Sequence, residues 1–228
     1  MALLLTIGTT KGGSGKTTLC VLLASVFAAK GFSVRILDAD PQATAIQWYA
    51  RSLDAGRKLE NIAVDVVQGA DQLAKALAAA SGADVILIDV PGTVDEILNI
   101  AAAHSEMVLI PARASGADLP EVVRLLARLD AMYEGAKPFL TRCVLNGVSG
   151  IAKNTAAFKV AAAYIEDHAI PVTKTIVVER PVLQLMMMDG GPLGTMPGDA
   201  EQIRKAMVNG EMLADEIFET IAAVGAEQ

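Results

Sequence analysis

The stretch Thr10-Lys11-Gly12-Gly13-Ser14-Gly15-Lys16-Thr17-Thr18 constrains this chain more than any other. An apolar run, Leu3 to Ile7, precedes it and reads as a strand; Leu19 to Lys30 follows and reads as a helix. Strand, glycine-rich loop and helix in that order are the setting in which a P-loop works. Gly12, Gly13 and Gly15 carry no side chain, so their backbone N–H groups can turn inward around phosphate oxygens. A helix opening at Lys16 adds the partial positive charge of its N-terminus. In such a cradle, completed by Ser14 and Thr18, Lys16 reaches the β- and γ-phosphates and the Thr17 hydroxyl ligates Mg²⁺. The usual P-loop spacing would place glycine at position 10; this chain has Thr10 there, and a second lysine, Lys11, directly before the glycines.

With 228 residues the chain is long enough for one large domain, 1–228, with a full core. Hydrophobic residues make up 53% but aromatics only 4%, so the core is built from Ala, Val, Leu and Ile. That suits helices packed on a parallel sheet. No apolar stretch approaches the roughly 18–20 residues that span a bilayer. The start, Met1 to Leu5, lacks a basic segment and runs into the glycine loop, so it reads as a strand rather than a signal peptide. Cys20 and Cys143 sit inside apolar runs and read as buried free thiols, which points to the cytoplasm. The net charge of −7 gives no overall basic surface for coating DNA.

Strand and helix patterns then alternate. Strands are expected at 3–9, 33–37, 62–67, 85–88, 107–110, 139–146 and 172–178. Helices are expected at 16–30, from 43 through Trp48 to about 53, 71–80 capped by Asp71, 94–103, 119–132, 153–168, 181–188 and 200–224, with a Gly/Pro-rich loop from Gly190 to Gly198. Continuously apolar strands alternating with helices predict an α/β fold: a twisted, mostly parallel sheet with helices on both faces, in a single-domain P-loop NTPase.

Ligands of open parallel sheets sit outside the carboxyl ends of the strands. Asp38, Asp40, Asp89 and Asn146 fall at or just after strand ends, so all can converge on the glycine loop. Asp89, closing Val85-Ile86-Leu87-Ile88, is placed to hold Mg²⁺, usually through water. A carboxylate near the γ-phosphate can orient or deprotonate an attacking water. The K-G-G-x-G-K-T-T loop, the segment Leu37-Asp38-Ala39-Asp40-Pro41-Gln42 and Asp89 together resemble the ParA/MinD family of ATPases with a deviant Walker A motif. The resemblance lies in motifs as far as about Asn146 and in element order beyond it.

That resemblance implies ATP and Mg²⁺ as ligands. It implies that Lys11 reaches across a dimer interface to the partner subunit's nucleotide, so that Lys11, Lys16 and Asp40 are the catalytic residues, with Asp40 positioning the water. It implies that Asp38 supports a metal shell formed with Thr17 and Asp89. Asn146 matches an adenine-contacting position, and Glu179-Arg180-Pro181 follows the last strand near where the base would lie. Asp89-Val90-Pro91-Gly92 departs from the family's common D-x-P-P, and Gly92 in place of a second proline implies a more mobile switch loop.

The function implied is an ATP-dependent homodimerisation switch with slow, partner-stimulated hydrolysis. Its first setting is plasmid or chromosome partition, with a centromere-binding or other activating protein as partner. Residues 140–228 hold 7 Lys/Arg against 11 Asp/Glu, which weighs against strong non-specific DNA binding. The alternative is a VirC-type or cargo-positioning ATPase acting as a protein-recruiting scaffold. A membrane-cycling MinD-type regulator needs a basic amphipathic C-terminal helix, and residues 219–228 contain no Lys or Arg. A nitrogenase-type iron protein needs paired cysteines beyond the glycine-loop half, where only Cys143 lies. His104 and His168 lack partner spacing for a metal. Met186-Met187-Met188 reads as a buried helix face ahead of a soft partner surface, Trp48 as a packing or interface residue, and Arg113, Arg124 and Arg128 as a solvated face, with partner or DNA contact as the alternative.

Overall fold

The computed structural model describes residues 2–79, 82–93 and 96–226. Its strands are β1 (Leu3–Ile7), β2 (Val34–Asp38), β3 (Ile62–Val66), β4 (Val85–Asp89), β5 (Met107–Ala112), β6 (Leu140–Val148) and β7 (Val177–Val178). Its helices are α1 (Lys16–Ala29), α2 (Thr44–Asp54), α3 (Ala70–Ala79), α4 (Glu96–His104), α5 (Leu119–Met132), α6 (Ala156–Asp167), α7 (Pro181–Asp189) and α8 (Ala200–Gly225). All strand pairs are parallel, in the order β3-β2-β4-β1-β5-β6-β7.

Side chains alternate across each strand, so successive residues feed opposite faces of the sheet. Val85 and Leu87 of β4 join a core with Leu22 and Phe27 of α1, Trp48 of α2 and Leu213 of α8. Ile86 and Ile88 join a second core with Leu98 of α4 and Leu125 of α5. Burial on both faces explains why the central strands read as unbroken apolar runs. Helix α1 lies deepest: every residue from Leu19 to Phe27 is buried. Aromatic edges hold α8 on it, with Phe27 and Phe218 centroids 5.5 Å apart.

Three expectations change. The expected helix from Lys153 divides, because Thr155 adopts an extended conformation and its hydroxyl caps α6 by accepting from Phe158 N at 3.2 Å; a 3₁₀ turn, Ala152–Asn154, precedes it. The expected strand 172–178 contracts to β7 plus a single bridge between Val172 and Cys143. Side chains of α8 satisfy its backbone instead. The Glu216 carboxylate accepts from Lys174 N and Thr175 N at 2.6 and 2.8 Å, and Asn209 Oδ1 accepts from Val178 N at 2.9 Å. Asp71 lies within the first turn of α3 rather than at its cap. The expected helix ends at Ala80 and Val94 lie outside the described residues. No helix among those described is long and apolar enough to cross a membrane.

Candidate functional site

The loop leaving β1 turns through left-handed conformations at Gly13 (φ 76°) and Gly15 (φ 88°), which glycine adopts without strain. At Gly15 space matters too, since a Cβ would run into the amide nitrogen of Asn146. That amide donates to Ser14 O at 2.9 Å and to Gly15 O at 3.5 Å, fixing the loop from the end of β6. Among the described residues, no backbone N–H from Gly12 to Thr18 donates to a protein acceptor. Lys16 is 8% exposed and makes no ion pair among them. Unpaired loop donors and a buried cation around one concavity have the chemistry to bind an anion. They border a cavity of about 600 Å³ lined also by Asp40, Pro91 and Gly92.

Asp38 and Asp89, side by side at the ends of β2 and β4, are fully buried. The Thr17 hydroxyl donates to Asp89 Oδ2 at 2.6 Å, while Asp89 Oδ1 is buried with no hydrogen-bond partner among the described residues. Burial pushes the Asp89 carboxyl up to about 7; Thr17 and the charge of Lys16 oppose that rise, and Asp38 and Asp40 add to it. An orphaned carboxylate oxygen beside a hydroxyl suits Mg²⁺, a hard cation that takes oxygen donors. No cluster of three or more His, Cys, Asp or Glu able to hold a metal occurs among the described residues. The Thr17 hydroxyl and the Asp89 carboxylate supply two side-chain oxygen ligands, which fits an ion that is also held by phosphates and water, the usual state of Mg²⁺ in nucleotide sites.

Asp38 spends both oxygens on backbone. Oδ1 accepts from Asp40 N at 3.3 Å and Oδ2 from Ile46 N at 3.0 Å. Burial raises its pKa, against the pull of those same bonds. It thereby holds the turn that carries Asp40, whose own Oδ1 accepts from Gln42 N at 2.9 Å. Asp40 lines the cavity, half-buried.

A second cavity of about 470 Å³ adjoins the first, sharing Gly13, Gly15, Thr18 and Met187. Asn146, Glu179, Arg180 and Leu183 line it, and so does Arg113 at the end of β5. Arg180 donates to Gln202 Oε1 at 3.2 Å, and its Nε is buried without a partner among the described residues. The sequence placed Arg113 on a solvated face; no spacing signal marked its approach to the loop.

Lys11 takes a different course. Its ammonium pairs with Asp118, a carboxylate whose side chain is 6% exposed, and it lines neither cavity. Asp118 Oδ2 also accepts from Arg113 N at 3.0 Å. Beside it, Thr10 Oγ1 donates to Glu121 Oε2 at 3.1 Å. Sequence reasoning missed Asp118 and Glu121, since an acid near a helix start reads first as dipole compensation.

The Nδ1 atoms of His104 and His168 lie 2.8 and 2.9 Å from the carbonyls of Ile100 and Tyr164. Trp48 and Met186 are buried, whereas Met188 is exposed. Cys20 and Cys143 are buried free thiols.

Known proteins resemble this chain to different depths. Residues 5–181 match the CobQ/CobB/MinD/ParA nucleotide binding domain. The chain is 25% identical over 217 residues to Protein ParA of Rhizobium radiobacter, covering 94% of this chain and 96% of that protein. It is 30% identical over 155 residues to the chromosome-partitioning ATPase Soj of Thermus thermophilus, covering 57% and 62%. It is also 30% identical over 122 residues to Protein virC1 of Rhizobium rhizogenes, covering 53% of each. In fold it resembles an ATP complex of McdA from Cyanothece, with a TM-score of 0.72, 17% identity and coverage of 95% and 96%. The cell division ATPase MinD of Pyrococcus furiosus gives a TM-score of 0.71 at 19% identity, covering 96% and 100%. With the family match spanning most of the chain, the glycine loop included, this protein belongs to the CobQ/CobB/MinD/ParA nucleotide-binding family.

Proposed function

We propose that this chain is an ATP-dependent dimerisation switch that hydrolyses ATP slowly, in the service of plasmid or chromosome partition. The observation that carries the reading is the convergence of free loop N–H groups, buried Lys16, Asp40 and the Thr17–Asp89 pair on one cavity. The loop N–H groups and Lys16 would grip the triphosphate. Thr17 and Asp89 would hold Mg²⁺, which neutralises charge on the phosphates when bound. Asp40, fixed through Asp38, would orient the attacking water and accept its proton. The nucleoside would extend past Thr18 into the second cavity, toward Asn146, Glu179 and Arg180.

Lys11 lines neither cavity of its own subunit and is 40% exposed, which suits a group that acts on the partner subunit's nucleotide. Two copies would face each other through the same surface, an isologous arrangement. Loss of the γ-phosphate would then release the pair. A ParA relative aligned over nearly its whole length supports the partition setting.

The net charge of −7 supports a second reading, a scaffold that positions protein cargo without gripping DNA. The test uses Asp40→Ala with MgATP and with MgADP. Light scattering should show a dimer with ATP alone, and a monomer at saturating MgATP would overturn the switch. DNA binding by that trapped dimer across a salt series separates the two settings. Binding with ATP only, weakening steeply with salt, supports partition; no binding supports the scaffold.

A further inference from the structure

Among the described residues, Ala43, Asn61, Glu134 and Ala169 hold a left-handed backbone without being glycine. Asparagine tolerates that conformation better than most residues. Glu134 and Ala169 directly follow the C-caps of α5 and α6, where a left-handed residue closes a helix end: Gly135 N donates to Asp130 O at 2.9 Å and Ile170 N to Ile165 O at 3.0 Å. Neither reason applies to Ala43 (φ 51°, ψ 42°), which opens a helix as the N-cap of α2. That position is ordinarily extended, as Thr155, Arg180 and Asp199 are at the starts of α6, α7 and α8. Helix α1 also starts from a left-handed residue, but there it is Gly15, which has no Cβ to crowd the backbone. Ala43 therefore carries strain, and it lies three residues after Asp40.

Hydrogen bonds on both sides hold the strained residue. Before it, the turn closes on Asp40: Ala43 N donates to Asp40 O at 2.8 Å and Gln42 N to Asp40 Oδ1 at 2.9 Å. After it, the first turn of α2 reaches back, with Gln47 N donating to Ala43 O at 3.1 Å and Gln47 Nε2 to Gln42 O at 2.9 Å. An alanine N-cap has no side chain to offer the helix. The buried carboxylate of Asp38 takes that place from the end of β2, accepting from Ile46 N at 3.0 Å. Residue 43 is thus the bend between two anchored pieces, the turn that holds Asp40 and the helix that Asp38 caps. Asp40, Gln42 and Thr44 line the first cavity, and Ala43 does not. Its effect on the site must pass through the turn.

We propose that Ala43 is a positioning residue whose backbone strain sets the rate of ATP hydrolysis. The bonds to Asp40 form only while residue 43 is left-handed, and alanine resists that conformation. The turn is therefore open for part of the time, and in that state the Asp40 carboxylate is off the attacking water. Nucleotide binding, which depends on the glycine loop and Lys16, does not follow this motion. The inference rests on the role proposed above for Asp40, and the experiment separates the two.

Steady-state ATP hydrolysis, equilibrium titration with AMPPNP and Mg²⁺, and thermal melting are measured on the whole chain, on Ala43→Gly, on Ala43→Val and on Asp40→Ala. Hydrolysis is read at protein concentrations where the rate per subunit no longer rises. Glycine takes the left-handed conformation freely, so Ala43→Gly should melt about 2–4 °C higher and raise kcat about 3- to 10-fold, with AMPPNP affinity within about 2-fold of the parent. Valine is β-branched and disfavours that conformation most, so Ala43→Val should lower kcat at least about 10-fold at the same affinity. If Ala43→Val does not fold, Ala43→Gly decides alone. A higher melting temperature with kcat unchanged in Ala43→Gly overturns the proposal, since the strain would then be structural only. So does a slower Ala43→Gly, or a folded variant that loses AMPPNP affinity in step with kcat. If Asp40→Ala hydrolyses ATP as the parent does, the role of Asp40 itself fails. If Asp40→Ala is inactive while Ala43→Gly keeps the parent kcat, only the reading of Ala43 fails.

Discussion

The cavity on the carboxylate flank of α1 draws its lining from residues 12–18, 40–44 and 91–93, with Met187 added. The cavity on the other flank takes its lining, beyond the loop itself, from the ends of β5, β6 and β7 and from α7. The first is assembled from short contiguous motifs, each directly after a strand. The second is assembled from residues far apart in sequence, contributed singly or in short runs. The first gathers charge: a buried lysine, half-buried Asp40 and a run of free N–H groups, with Asp89 behind it paired to Thr17. The second mixes Arg113, Glu179 and Arg180 with Leu183 and two methionines. Affinity should therefore reside mainly in the first, and selectivity for the base in the second.

The largest test of that division is Lys16→Ala. It removes the one buried cation at the anion site, and nucleotide affinity should fall more than about 100-fold, since charge-assisted contacts in a desolvated site are the strong ones. Isothermal titration with MgADP measures it. Arg180→Ala, on the other flank, should cost no more than about 10-fold. Equal losses would dissolve the distinction between the flanks.

Asp89 sharpens the comparison without any nucleotide. Its carboxyl titrates at about 7 in the folded chain, because burial holds the proton on. Unfolded, it titrates near 3.9. Between those values the folded state keeps a proton the unfolded state has lost. The stability associated with Asp89 is thus fully present below about pH 4, declines as pH rises, and is gone above about pH 7. Asp89→Asn places a neutral group of the same shape there. In urea denaturation without Mg²⁺ or nucleotide, the variant should gain on the parent across that window, by at most about 4 kcal/mol at about pH 8. A difference flat with pH would mean that the carboxylate flank is solvated and its charge uncompressed. MgATP should reverse the order, stabilising only the chain that retains the Asp89 carboxylate.

The same contrast explains what could be read from the sequence. Lys16, Thr17, Asp38, Asp40 and Asp89 stand at fixed offsets from strands whose apolar runs announce themselves, and the sheet topology then forces them together. Asn146 shares that strand-end position, and only its adenine-contacting role depends on resemblance; what the structure adds is that its amide ties down Ser14 and Gly15 across 131–132 residues. Asp118 carries no local pattern for its ion pair, because Lys11 lies in another segment, and Arg113 carries none for its approach to the glycine loop. The overestimated strand at 172–178 has the same cause. Glu216 and Asn209 take its backbone donors from more than thirty residues away. Periodicity reports what a segment buries, not which distant side chain claims its N–H groups.

Asn146 tests the border between the flanks. Asn146→Ala removes the donor that holds the Ser14 and Gly15 carbonyls and leaves those carbonyls without their partner. Affinity for both MgATP and MgADP should fall about 3- to 10-fold, a hydrogen-bond-sized effect. If the amide contacts the base as well, the ratio of ATP to GTP affinity should fall with it. A change in affinity with no change in that ratio would assign Asn146 wholly to bracing the loop.

The smallest expected effect concerns the lysine outside both cavities. Lys11 is held by Asp118 on its own subunit, and a lysine so held is not at the partner's phosphates. The ion pair and the proposed dimer contact therefore compete for one ammonium. Asp118→Asn keeps a side-chain oxygen for Arg113 N while removing the charge that holds Lys11. Half-exposed on the lysine side, the pair is worth less than about 1 kcal/mol, so the shift in dimerisation is up to about 5-fold. Sedimentation in the Asp40→Ala background should show the dimer at lower protein concentration with Asp118→Asn than without it. A dimer that instead weakens would mean that Lys11 crosses the interface with Asp118 still attached, and that the carboxylate aims the lysine rather than restraining it.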